Sequence, residues 1–208
     1  MTHKLKTLLA FGCAALALSG LMATAAQANF TASSYPASIT GVSGAGNGIL
    51  GTEAGGSECS EHWQGSMFEA DTRLTMEWTI TKCQWFGSQT WQVNTNGCDV
   101  RFNLTGGSGD SYTASTDIVC PAGKAIEITV GNCAFNYPPQ TGLGSVDFTN
   151  NTASGDISMQ ATITGMKYVV TKDGFLCTFS GIGEKSGGTY THASPVTLDA
   201  SLGSLDIG

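Results

Sequence analysis

The sequence predicts an all-β protein: an antiparallel β-sandwich, with a barrel as the second choice, built from about nine to eleven short strands. Three observations carry this. Apolar residues recur at every second position in several runs. Gly-, Asn- and Asp-containing turns separate those runs. No segment sustains a helical period.

The elements follow in chain order. Tyr35–Thr40 and Glu61–Phe68 alternate weakly, and Gly-rich Gly41–Gly56 between them reads as a loop. The clearest strand is Leu74–Thr81. Leu74, Met76, Trp78 and Ile80 share one face, and Thr75, Glu77, Thr79 and Thr81 the other. In Trp91–Phe102, Asn96-Gly97 is a favoured two-residue hairpin turn, because both positions must tolerate positive φ. That turn would set Thr95 opposite Cys98, Val93 opposite Val100 and Trp91 opposite Phe102, all on one face. Ser111–Val119 and Ala125–Val130 come next, with Pro121-Ala-Gly-Lys124 turning the chain between them. Ser145–Thr149 and Asp156–Thr164 follow; in the second, Ile157, Met159, Ala161 and Ile163 alternate with polar neighbours. Asp173-Gly174 would close another hairpin, with Val170 opposite Cys177 and Tyr168 opposite Phe179. Val196–Ala200 is a weaker last strand. No repeat or linker divides the chain.

Residues 1–28 have the layout of a secretory signal peptide. His3, Lys4 and Lys6 precede a mostly apolar Leu8–Leu21, and Ala26-Gln27-Ala28 is a small-x-small cleavage site. Cleavage is expected before Asn29, leaving residues 29–208 as a single secreted β domain. No later run is apolar enough to span a bilayer as a helix. The remaining chain carries seven basic and sixteen acidic residues, a formal charge of −9. An acidic chain without Lys/Arg clusters argues against nucleic acid and anionic membranes as partners. The expected location is extracellular, at most loosely wall-associated.

Six cysteines follow the leader: Cys59, Cys83, Cys98, Cys120, Cys133 and Cys177. An even count in an exported chain implies three disulfides. Fifteen pairings are possible and spacing does not choose among them. The sequential set, Cys59–Cys83, Cys98–Cys120 and Cys133–Cys177, is the expectation. Cys59-Ser-Glu-His62 has ligand-like spacing but lacks the third and fourth ligands that zinc takes. No metal or cofactor is expected.

Several motifs fail on inspection. Pro138-Pro-Gln-Thr-Gly142 looks like a wall-sorting signal, but Pro138 stands where Leu is required and 66 residues follow Gly142. Two prolines cannot donate to a ladder, so this stretch reads as the passage between two strands. Gly181-Ile-Gly-Glu-Lys-Ser has Glu184 where a phosphate loop has Gly. Gly109-Asp-Ser111 lacks the late Asp-x-x-His of the esterase class it suggests; Thr189 holds that slot before His192. Glu58, Glu61, Glu69 and Asp71 cluster near His62 and could form a carboxylate pair, although solvated surface is the commoner fate. His62 and His192 read as surface or satisfied core residues. Trp78 and Trp91 fall on buried faces. Trp85-Phe86 reads as a loop pair able to stack on a sugar ring or meet a partner.

Phe30-Thr-Ala-Ser-Ser-Tyr-Pro-Ala37, Asn96-Gly-Cys98, Ile118-Val-Cys-Pro-Ala-Gly-Lys124, Pro139-Gln-Thr-Gly-Leu143 and Lys172-Asp-Gly-Phe-Leu-Cys177 together carry a resemblance. The chain resembles a family of exported, disulfide-containing, mostly uncharacterised bacterial β proteins, over nearly all of residues 29–208. The resemblance implies a secreted cysteine-containing β fold and transfers no catalytic residue. The tryptophan cluster departs from the family pattern.

The expected role is a non-catalytic extracellular β domain that binds an extracellular or cell-surface partner, a glycan being one candidate. The alternative is a carbohydrate-binding or carbohydrate-active module, with Trp85 and Phe86 as platform and Glu58, Glu61 or Glu69 as polar or catalytic groups. The second alternative is a self-assembling surface or fibre subunit. Its signs would be an unpaired edge strand and a free arm, Asn29–Thr40.

Overall fold

The computed structural model describes residues 27–53, 55–85, 89–174, 177, 179 and 181–208. Among them there is no helix. The strands are β1 Phe30–Ala32, β2 Ala37–Thr52, β3 Gly55–Met67, β4 Arg73–Trp85, β5 Gln89–Asn94, β6 Asp99–Ser108, β7 Ser111–Val119, β8 Ile126–Val130, β9 Cys133–Tyr137, β10 Gln140–Asn151, β11 Asp156–Lys172, β12 Gly183–His192, β13 Val196–Ala200 and β14 Leu205–Ile207.

The main sheet closes into an eight-stranded antiparallel barrel with extra strands, the second of the two predicted architectures. At one end the circuit runs β2–β3–β4–β6–β7–β10–β11–β13 and back to β2. At the other it runs β2–β3–β4–β5–β8–β9–β11–β12 and back. The long strands β2, β3, β4 and β11 serve both circuits. The other four positions in the wall are each filled by two shorter strands end to end; β1, β9, β12 and β14 are the strands the sequence reading did not place.

The Asn96-Gly97 turn forms but does not make a hairpin. Its φ angles are +53° and +76°, and the Cys98 N–H donates to the Thr95 carbonyl at 2.8 Å. Yet β5 and β6 both run antiparallel to β4, along the same edge, with Cys83 facing Trp91 and Glu77 facing Asp99. The β5–β6 line spends two more residues than β4 over this span, and the turn is the loop that absorbs them. The predicted Val93–Val100 and Trp91–Phe102 pairs are therefore absent, although Trp91, Cys98, Val100 and Phe102 all point inward as alternation required.

Asp173-Gly174 is corrected in the same way. Both edges of β11 are already paired, with β9 and β12, and Val170 faces Gly183 instead of Cys177. Cys177 closes a local turn onto the Gly174 carbonyl at 2.9 Å, and Phe179 packs beside Tyr168 at 6.2 Å between ring centroids. Gly41–Gly56 is mostly strand, not loop, within β2 and β3. A Cβ on Gly41 would lie 2.4 Å from Leu198 Cδ2, so a residue without a side chain lets β13 close on β2.

The three sequential disulfides are present. Cys59–Cys83 clasps β3 to β4. Cys98–Cys120 joins two interrupted lines at the level of their breaks. Pro138-Pro139 marks a third break, between β9 and β10. The segment Asn29–Thr40 is not a free arm: β1 pairs with β14, and β2 pairs with β3 and β13.

Inward faces form one apolar cluster, and outward positions such as His62, Gln64, Thr75, Glu77, Thr79 and Thr81 are polar and exposed. Lipid-spanning barrels show the reverse. No described helix is long and apolar enough to cross a membrane.

Candidate functional site

Two places concentrate chemistry: one inside the barrel, the other on its rim. The inner one starts from strand parity. Along β3, Ser57, Cys59, Glu61, Trp63 and Met67 point inward, and Glu58 and His62 outward. Parity ignores polarity, so a glutamate lands in the core. A bare carboxylate there would cost several kcal/mol. Glu61 is instead surrounded by donors. Trp78 Nε1–H donates to Oε1 at 3.1 Å, and the Tyr190 hydroxyl donates to the same oxygen. Ser43 Oγ–H donates to Oε2 at 3.3 Å and accepts the Glu61 backbone N–H at 3.0 Å. Gly48 makes the room: a Cβ there would lie 2.3 Å from the carboxyl carbon.

His192 completes the set. The line shared by β12 and β13 breaks after His192, and its ring bridges the gap to β11. Ala161 N–H donates to Nδ1 at 3.2 Å, with Met159 O also at 3.2 Å. Nε2 lies 2.6 Å from the Tyr190 hydroxyl and 3.4 Å from Glu61 Oε2. Asn47 bridges the other side of the break, with its carbonyl accepting Ala193 N–H at 2.8 Å and its Oδ1 accepting Ser194 N–H at 2.7 Å. Burial, and then the Glu61 charge, push the Tyr190 hydroxyl well above its ordinary pKa, so it stays a donor. Trp63 stacks on Trp78 at 5.3 Å, closing the cluster. The Glu61 and His192 side chains are 0% exposed. Among the described residues, the cluster is closed off from solvent and its polar groups meet one another.

The rim site lies where β3 turns into β4. A groove of about 360 Å³ is lined by Phe68, Glu69, Asp71, Arg73, Thr75 and Arg101 among others. Phe68 is 78% exposed. The turn beneath it is pinned: Phe30 and Asp71 exchange backbone hydrogen bonds, and Leu104 N–H donates to the Thr72 carbonyl at 2.9 Å. Asp71 Oδ1 accepts the Arg73 backbone N–H at 3.0 Å and contacts its Nε at 3.5 Å. Slight burial raises the Asp71 carboxyl, but these Arg73 interactions outweigh it and hold it below its ordinary value. Arg101 donates Nε and Nη2 to Asp117 Oδ2 at 3.1 and 2.8 Å. Asp117 also accepts Asn103 Nδ2 and the Gly142 N–H.

The residues singled out in the sequence are scattered. Trp85 ends β4, its backbone paired with Gln89, and Phe86 lies outside the described residues. Glu58 is on the outer wall, paired with Gln84, the residue before Trp85. Glu61 is inside, and Glu69 and Asp71 are on the rim. His62 is exposed and His192 buried. Asp110 and Ser111 lie at the β6–β7 turn, with no histidine partner among the described contacts. No group of three or more His, Cys, Asp or Glu placed to hold a metal occurs among the described residues. Sequence reading missed Tyr190, Ser43 and Phe68. Inward parity of Tyr190 and His192 was the available signal for the first; an aromatic beside Glu69 and Asp71, at the end of an alternating stretch, was the signal for the last. Comparison with protein-family models, curated proteins and solved structures finds no match for this chain.

Proposed function

We propose that this chain is an exported, disulfide-braced β domain that acts by binding an extracellular partner on its outer surface and has no catalytic role. The observation that carries this reading is the contrast in access. Among the described residues the hydrogen-bonded cluster of Glu61, Tyr190 and His192 is sealed in the barrel, while the rim groove is open to solvent and its carboxylates, Glu69 and Asp71, have no histidine beside them, Asp71 being engaged by Arg73. A catalytic carboxylate must reach its substrate, and Glu61 reaches only other side chains. Three disulfides and a polar outer wall suit a domain that works outside the cell.

The test is saturable binding of fluorescently labelled exported protein to intact cells, isolated cell walls and insoluble polysaccharides, in parallel with hydrolase assays on the same polysaccharides. Saturable binding without product release is the expected result. Turnover that disappears in Glu61→Gln or in Glu69→Gln while the fold is kept would overturn the non-catalytic reading.

A further inference from the structure

We infer that the rim groove between the β3–β4 turn and β6 is a binding site for a neutral glycan, with Phe68 as the stacking platform. This rests on the binding reading above and gives that reading a site and a ligand class. A single exposed apolar residue is ordinary on a protein surface. Phe68 differs in its setting. It stands at the mouth of a groove of about 360 Å³, within the range of small-ligand sites. The groove also presents two guanidiniums, Arg73 and Arg101, and two carboxylates, Glu69 and Asp71.

A pyranose ring has one apolar C–H face and a rim of hydroxyls. The face matches an exposed aromatic ring. The hydroxyls need both donors and acceptors held in fixed directions, and planar guanidinium and carboxylate groups supply both. Two of those groups are already held. Arg101 is clamped on Asp117, and Asp71 is held by three hydrogen bonds to Thr72 and Arg73. Arg73 uses only Nε on Asp71, and its terminal nitrogens make no hydrogen bond among the described residues. Preorganised polar groups lose little on binding.

Charge sets the ligand class. Two positive and two negative groups line the groove, Asp117 lies behind Arg101, and the whole chain from Asn29 carries −9. An anionic ligand would meet this balance at no advantage, whereas a neutral sugar is served equally by both signs.

The test uses exported, oxidised protein titrated with cello-, chito-, xylo- and manno-hexaoses, with polygalacturonate as the acidic arm. At least one neutral series should bind, and Phe68→Ala should weaken it about tenfold or more, while Phe68→Trp keeps it. Arg73→Gln should weaken it by a smaller factor. A tenfold rise in salt should change the affinity less than about twofold. Circular dichroism and urea unfolding confirm that each variant is folded. Full affinity in folded Phe68→Ala would overturn the groove while leaving glycan binding elsewhere on the domain intact. Tighter, salt-sensitive binding of polygalacturonate would overturn the neutral class. Binding to cells but to no glycan would overturn this inference alone, and binding to neither would overturn it together with the reading beneath it.

Discussion

Glu61 and Glu69 lie on the same β3–β4 unit, eight residues apart, and meet opposite fates. Glu61 is sealed among Trp78, Tyr190, Ser43 and His192. Glu69 lines an open groove beside an exposed phenylalanine. The same side chain is a structural joint in one place and an available ligand group in the other. What differs is parity and position: Glu61 sits on an inward slot of a strand, and Glu69 sits beyond its end. A carboxylate therefore gains meaning here from the wall around it.

The comparison breaks most visibly if Glu61 is removed. Glu61→Ala should cost about 3–5 kcal/mol, because it strands several buried donors and leaves a cavity. Urea unfolding reads this directly. A cost below about 1 kcal/mol would show that the network is dispensable.

The stacked indoles sharpen the same point. Trp78 donates to Glu61, whereas Trp63 Nε1 has no acceptor among the described residues. Trp78→Phe should cost about 1–2 kcal/mol more than Trp63→Phe, although Trp63 is the more buried of the two. Equal costs would mean that packing alone decides.

Acid provides a third contrast. Burial raises the Asp117 carboxyl, but Arg101, the Gly142 N–H and Asn103 outweigh it and lower its folded-state pKa. A lowered folded value gives stability that is present above the ordinary aspartate range and lost as pH falls through the folded value. The urea midpoint should fall as the carboxylates protonate below the ordinary aspartate range, and Asp117→Asn should flatten that acid limb. An unchanged acid limb in Asp117→Asn would remove this clamp from the account. The smallest effect belongs to the rim: Phe68→Ala should alter stability by no more than about 0.5 kcal/mol. A larger loss would mean that Phe68 is a packing residue.

Local facts of this fold were legible and global ones were not. Leu74, Met76, Trp78 and Ile80 announce their face because a strand has period two, and all four are buried. Val196–Ala200 and Ser111–Val119 have the predicted bounds. Asn96-Gly97 announces its own φ angles but not which strands pair beside it, since partner choice depends on the free edges of β4. Gly41 and Gly48 read as loop because glycine favours turns, yet each sits in a strand where a facing side chain needs its space. The inner site was the least legible part. Glu61 and Tyr190 are 129 residues apart and meet only through closure of the barrel. For the rim groove, the sequence shows Phe68 and its charged neighbours, but Arg101 arrives from β6 through pairing alone.

The most direct test is a crossed measurement of urea midpoint and hexaose affinity in Glu61→Gln and Phe68→Ala. Glu61→Gln should lower the midpoint and leave affinity intact, and Phe68→Ala should leave the midpoint intact and lower affinity about tenfold. Folded Glu61→Gln that has lost its affinity, beside Phe68→Ala that has kept it, would place the working site inside the barrel and contradict the division between a sealed interior and a binding rim.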